Sequence, residues 1–163
     1  MAYTPPVPGS PDWDTPLNQA LADIDATAEA AQDAASDALA GGGATVAALQ
    51  TTASTSFTDL ATVGPSTSVT LASPRTVLVF LTARMRNQTT SDDVYQSFAA
   101  AGATVVAAAD GNGTRHNGSG ASQNYSSVSA VACSAGTTTF TAKYRVDGGT
   151  GEFTDRVIGV VVT

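Results

Sequence analysis

From Phe57 onward the chain breaks into short runs of apolar or alternating residues, separated by Gly, Pro, Ser, Asn and Asp, with no helical period between them. Strand-like runs fall at 56–63, 67–72, 76–86, 94–101, 104–109, 125–133, 137–146 and 154–163. Many short strands with turn residues between them bury their apolar faces most simply as two packed antiparallel sheets. The fold class expected is therefore mainly β with an N-terminal α-helix, the β part being an antiparallel, jelly-roll-like sandwich.

The run 139–146 carries the clearest alternation. Phe140, Ala142, Tyr144 and Val146 point one way, and Thr139, Thr141, Lys143 and Arg145 the other. Val77–Leu81 and Val157–Val162 are apolar on both faces, which predicts central strands or strands at a subunit interface. Gly64-Pro65 and Gly148-Gly149 read as hairpin turns. The pairs Arg84/Arg86 and Lys143/Arg145 each share a strand face and read as solvated outer positions.

The N-terminal part is different in kind. Five of the seven prolines, Pro5, Pro6, Pro8, Pro11 and Pro16, fall in residues 1–16, which excludes regular helix and predicts an extended arm. That arm holds Trp13, the single tryptophan, whose ring either folds onto its own helix as a staple-like contact or anchors the chain in a partner's pocket. Asp14 or Thr15 caps a helix that Pro16 opens and Gly41-Gly42-Gly43 ends. Leu17, Leu21, Ile24, Ala28, Ala31, Ala35 and Ala38 form a heptad-spaced seam suited to self-association or docking. Ala44–Gln50 reads as one or two further helical turns and Thr51–Ser56 as a polar linker. The parts expected are an arm at 1–16, a docking or coiled-coil helix with linker at 17–56, and a sandwich at 57–163.

Charge divides the chain in the same way. The first 74 residues hold eight acids (Asp12, Asp14, Asp23, Asp25, Glu29, Asp33, Asp37, Asp59) and no Lys or Arg, whereas all seven basic residues lie from Arg75 onward. A net charge of −7 argues against a phosphate-binding surface, so no nucleic-acid partner is expected. A single cysteine, Cys133, and a single histidine, His116, leave no disulfide framework and no Cys/His metal site. Asp110-x-Asn112-x-Thr114 starts like a calcium loop, but Arg115 stands where the turn needs glycine and Ala121 where the closing acid belongs. No nucleophile elbow, phosphate loop or dinucleotide fingerprint occurs, so neither enzyme activity nor a cofactor is expected. The N-terminus lacks the features of a secretory signal, and the apolar runs are too short to insert in a membrane.

One segment is a candidate for recognition. Residues 110–124 (DGNGTRHNGSGASQN) are glycine-rich, polar and long for a compact domain. Asn112, Arg115, His116, Asn117 and Asn124 are the groups there able to hydrogen-bond a hydroxyl-rich ligand, and Tyr125 offers a ring to stack on a sugar.

Two stretches resemble known proteins. The opening PPVPGSPDWDTPLNQALADID, through Pro8, Gly9, Trp13, Leu17, Asn18, Ala20 and Leu21, resembles the N-termini of tail and fibre proteins of bacteriophages that infect actinobacteria. FTDLATVGPSTSVTL and GTTTFTAKYRVDGGTGEFTDRVIGVVV are similar to the jelly-roll heads that end phage fibres, themselves related in shape to tumour-necrosis-factor-like trimers. The resemblance implies a short homotrimeric virion appendage, made in the host bacterial cytoplasm. It would be docked on other tail or capsid proteins through residues 1–40, with Trp13, Leu17, Leu21 and Ile24 as contacts. A minor tail or tail-tip position is the first expectation. Capsid decoration, or a carbohydrate-binding adhesin that attaches to a host-surface glycan, is the alternative.

Overall fold

The computed structural model describes residues 14–38, 41–89, 91–117 and 120–163, so Trp13 and the rest of the arm through residue 13 lie outside the described residues. The chain divides into two compact units, 1–36 and 37–163.

In the first unit, α1 runs from Asp14 to Ala38, and the side chains described in it are all exposed. Leu17, Leu21 and Ile24 keep 51%, 52% and 63% of their surface open. Local bonds tie Asp23 into the helix: Gln19 Nε2 donates to its carboxylate at 2.8 Å, and Thr27 Oγ1 donates to its carbonyl at 2.7 Å. Asp25, Glu29 and Asp33 follow one another at four-residue spacing, and each such like-charge pair costs a helix roughly 0.2–0.5 kcal/mol.

The second unit is the sandwich. Its strands are β1 (Gly41–Val46), β2 (Gln50–Thr52), β3 (Ser66–Leu71), β4 (Arg75–Asn87), β5 (Val94–Gly102), β6 (Thr114–His116), β7 (Gln123–Cys133), β8 (Gly136–Val146) and β9 (Gly151–Val162). One sheet has the order β1-β9-β4-β7, with β2 also on β9, and the other has β3-β8-β5-β6. Every pairing is antiparallel, and β8 and β9, adjacent in the chain, lie in different sheets, as a jelly roll requires.

The alternation read from the sequence sets the core. Val77, Val79, Leu81, Ala83 and Met85 of β4 face Phe98 of β5 and Phe140, Ala142 and Tyr144 of β8 across the interior, all buried. Phe98 meets Phe140 edge to face at 5.8 Å, and Tyr144 meets Phe153 at 4.8 Å. Each such side chain contributes about 1.5–3 kcal/mol on burial. On the outer side of the second sheet, hydroxyl pairs join β3 to β8: Ser66–Thr141 at 2.9 Å, Ser68–Thr139 at 2.8 Å and Thr70–Thr137 at 2.9 Å.

Several expectations need correction. The sandwich starts at Gly41, not at 57: the segment read as helical turns and linker supplies β1 and β2, both paired with β9. The apolar edge of β9 takes a partner strand there, and tertiary pairing overrides the weak local helical signal. The runs at 56–63 and 104–109 form no strand and contribute single bridges, Thr58 to Tyr144 and Val106 to Ala100. Gly148-Gly149 is no hairpin, because it carries the chain from one sheet to the other. Gly149 has φ 64°, and a Cβ there would stand 2.4 Å from Thr89 Oγ1 and 2.8 Å from Asn87 Oδ1, so only glycine fits. Gly64-Pro65 lies in the connection before β3, where the Gly64 carbonyl accepts from Tyr144 Oη at 3.2 Å.

Candidate functional site

The candidate recognition segment is not a free loop but is largely built into the sandwich. Asp110–Asn112 form a 3-10 turn and Thr114–His116 form β6 on β5. Ser97 Oγ donates to the Ala109 carbonyl at 2.7 Å, and a Cβ at Gly113 would meet the Gln96 carbonyl oxygen at 1.9 Å, so the backbone lies directly on β5.

His116 is 1% exposed, which contradicts its reading as a surface group. Its Nε2 lies 3.0 Å from the Ala121 carbonyl, its Nδ1 lies 3.0 Å from Tyr125 Oη, and the two rings stack at 4.9 Å. Tyr125 Oη also donates to Gln123 Oε1 at 2.8 Å. The tyrosine that was to stack on a sugar stacks on histidine instead, and the pair joins β6 of one sheet to β7 of the other. Asn124 stands on β7 in register with Arg84, facing out from the first sheet. Arg115 and Asn117 are exposed and Asn112 is half-buried. The six candidate residues therefore divide among a stacked His116–Tyr125 pair, two sheets and a turn, and do not converge on one cleft.

A second polar cluster was not foreseen. Arg145 on β8 donates from Nε and Nη2 to the two oxygens of Asp110 at 2.9 and 2.8 Å, and also to Asp147. Its guanidinium lies 3.6 Å from the Tyr95 ring centre and 5.5 Å from that of Phe57. This fork explains the fate of the calcium-like Asp110: its carboxylate is taken by a cation of the same chain. The Arg145 bond holds Asp147 below the ordinary carboxylate range. Burial first, and then the bond to Asp147, raise Tyr95. Arg115 reaches Asp93 at 3.4 Å, and Lys143 donates to both oxygens of Asp59 at 2.7 and 2.8 Å. On β4, Arg86 binds Glu152, which also accepts from Gln88 Nε2 at 2.7 Å. The basic side chains expected to be solvated are thus neutralised within the chain, except that Arg84 binds Ser122 Oγ at 3.0 Å. Among the described residues no cluster of His, Cys, Asp and Glu has the makings of a metal site.

Among the described residues of the sandwich, the outer face of the first sheet carries large apolar side chains that are exposed. Val77–Leu81 and Val157–Val162 do lie in its two central strands, β4 and β9. Leu78 pairs with Val161 and Ala130, Phe80 with Gly159 and Val128, and Thr82 with Val157 and Ser126. Phe80, Val128 and Val161 keep 39%, 57% and 47% of their surface exposed. None of these nine positions is charged. The neighbouring edge strand β7 has eleven residues, with no proline and no charge to discourage pairing.

Together these features define a two-sheet jelly roll whose first sheet carries an uncharged, partly exposed patch on its outer face, and a separate acidic helix earlier in the chain. No family model and no curated protein matches the chain. Solved structures similar to it include Eiger TNF from S. frugiperda, at 12% identity and a TM-score of 0.48, covering 76% of this chain and 90% of that one. Others are infectious bursal disease virus Gx strain (8%, TM-score 0.47, 74% of this chain and 32% of that one) and the PRD1 vertex protein P5 (10%, TM-score 0.40, 76% and 97%).

Proposed function

We propose that the chain is a non-enzymatic structural component of a bacteriophage virion: a short homotrimeric appendage held to the particle by its N-terminal arm and helix. The observation that carries this reading is the uncharged face of Leu78, Phe80, Val128 and Val161. A contiguous apolar patch on a sheet is costly to leave in water and marks a surface that association covers. The heads would cover it against one another, while α1, a unit of its own, reaches the particle. The resemblance of residues 5–25 to phage tail and fibre proteins supports the virion and favours a tail or tail-tip position over capsid decoration. A structural role is preferred to glycan adhesion because His116 and Tyr125 occupy each other. Mass spectrometry of purified particles, with particle reconstruction to place the protein, tests the reading. Its absence from virions overturns it.

A further inference from the structure

The glycines of β1 and β9 are of two kinds. Gly42 faces the core, and a Cβ there would stand 2.7 Å from Thr67 Oγ1 of β3, so the close approach of the two sheets accounts for it. Gly43 and Gly159 lie directly opposite each other and face out. A Cβ at Gly159 would meet the Gly42 carbonyl oxygen at 3.7 Å and Phe80 Cβ at 3.9 Å, which are ordinary contacts, and its φ is not left-handed. The chain itself therefore leaves room for a side chain at 159. A glycine inside a strand weakens it, and such a position commonly marks the close approach of another group. Phe80 is the cross-strand neighbour of Gly159 on β4, yet no atom of its ring comes within 4 Å of that Cβ position. One row across the sheet thus reads Gly43, Gly159, Phe80, Val128: bare backbone on one half, two exposed apolar side chains on the other. The rows on either side hold no charged residue, so a charged occupant would lose its water and gain no partner. An uncharged apolar ring suits the trough, and the same face carries one.

We infer that the trough floored by Gly43 and Gly159 receives the Phe80 ring of a second copy, head to tail, so that each of three copies gives one ring and takes one. This rests on the homotrimer reading and names the contact that builds it. Ring and trough occupy different halves of one face. A copy that has placed its ring in a neighbour still has its own trough open, and repetition of that contact about an axis closes a ring of subunits. The bare backbone lets the aromatic side chain lie flat on the strands, and a side chain at 159 would hold it off.

Full-length wild type, Gly159→Ala and Gly159→Val are compared by sedimentation equilibrium and circular dichroism. Wild type is expected at about three times 16.3 kDa. Gly159→Ala should keep the β-sheet spectrum, because the fold has space for the methyl group. Dissociation should rise about tenfold or more in Gly159→Val, and by less in Gly159→Ala, because an overfilled contact loses its fit. In a second experiment Phe80→Cys and Gly159→Cys proteins are mixed and oxidised at a concentration where both sediment as assemblies. Cys133 is buried and stays out of the reaction. A disulfide-linked pair of chains should form in the mixture and in neither protein alone. A Gly159→Val protein that assembles as tightly as wild type, or a mixture that does not cross-link, overturns the inference and leaves the trimer to rest on another contact. An assembly of two copies overturns the head-to-tail ring, and a monomeric wild type removes trimer and contact together. Absence from virions would sink the particle reading and leave the contact standing.

Discussion

Asp155 and Arg156 divide a single β-bulge between them: Asp155 takes the left-handed φ of 51°, and Arg156, the next residue, turns fully into the core. Two residues of β9, Asp155 and Arg156, lie between Thr154 and Val157 where β4 has only Ala83 between Thr82 and Arg84, so Phe153 and Arg156 both face inward. The extra residue also splits the partner strand. β1 ends with Val46 opposite Arg156, β2 begins with Gln50 opposite Phe153, and Thr154 Oγ1 donates to the Ala47 carbonyl between them at 2.7 Å. Inside, Arg156 donates to the Gly64 carbonyl at 3.2 Å and to Gln50 Oε1 at 2.9 Å, and lies 5.4 Å from the Tyr144 ring centre. Burial pushes the Tyr144 hydroxyl up to about 12, with Arg156 opposing.

Arg156→Ala is expected to cost about 3 kcal/mol or more, because it opens a cavity in the core and removes the bonds to the Gly64 carbonyl and Gln50 Oε1. Arg156→Met keeps most of the volume and should cost less. At Asp155, Gly should be nearly neutral and Val should cost about 1–2 kcal/mol, since a β-branched residue resists the left-handed region. Urea unfolding measures all four variants. A fully stable Arg156→Ala would mean that the bulge serves no buried bond.

Stability should fall in acid. Hydrogen bonds from Arg86 and then Gln88 hold Glu152 below its usual 4.5, and the bond from Arg145 holds Asp147 below its usual 3.8. A carboxylate whose folded value is depressed contributes stability above its unfolded value and loses it as pH falls through the folded one. The urea midpoint is therefore expected to drop as pH goes from about 5 to about 3, and Glu152→Gln should remove part of that slope. A Glu152→Gln protein with the full wild-type slope would show that Glu152 is not one of the groups responsible.

Self-association should depend on the apolar sheet. The protein is expected to sediment at about three times 16.3 kDa. Phe80→Asp or Val128→Asp should weaken that assembly by at least tenfold, because a carboxylate would be buried without a partner. Neither substitution touches the core, so each monomer should keep its melting temperature within a few degrees. A wild-type monomer at micromolar concentration would remove the basis for the trimer.

His116 and Tyr125 should act on stability before recognition. Tyr125→Phe loses the hydroxyl's bonds to His116 and Gln123 and is expected to cost about 1 kcal/mol, and His116→Ala about 2 kcal/mol from lost bonds and lost stacking. Thermal unfolding is the measurement. Variants as stable as wild type but defective in host adsorption would restore the pair to a recognition role.

Much of this fold was legible because burial follows a period of two. The alternation Phe140, Ala142, Tyr144, Val146 and the two-sided apolar runs of β4 and β9 state which residues go inside and which strands are central. The helix of α1, its exposed seam and its unbalanced acids are local and equally readable. The candidate loop was misjudged for a physical reason. Polar, glycine-rich sequence describes both a solvated loop and a chain pressed against a strand, and only the contact of Gly113 with Gln96 separates them.

What the sequence determined by itself is the set of periodicities and charges: a β-sandwich, an acidic amphipathic helix, and seven basic residues confined to the sandwich half. What the tertiary structure decided is every relation between residues far apart in the chain. Gly41–Val46 became a strand because β9 offered an edge, His116 was buried because Tyr125 of the other sheet closed over it, and Arg145 found Asp110 thirty-five residues away. Local pattern carries the sign and spacing of each side chain, but pairing is chosen by the free energy of the whole assembled sheet, which no short window contains.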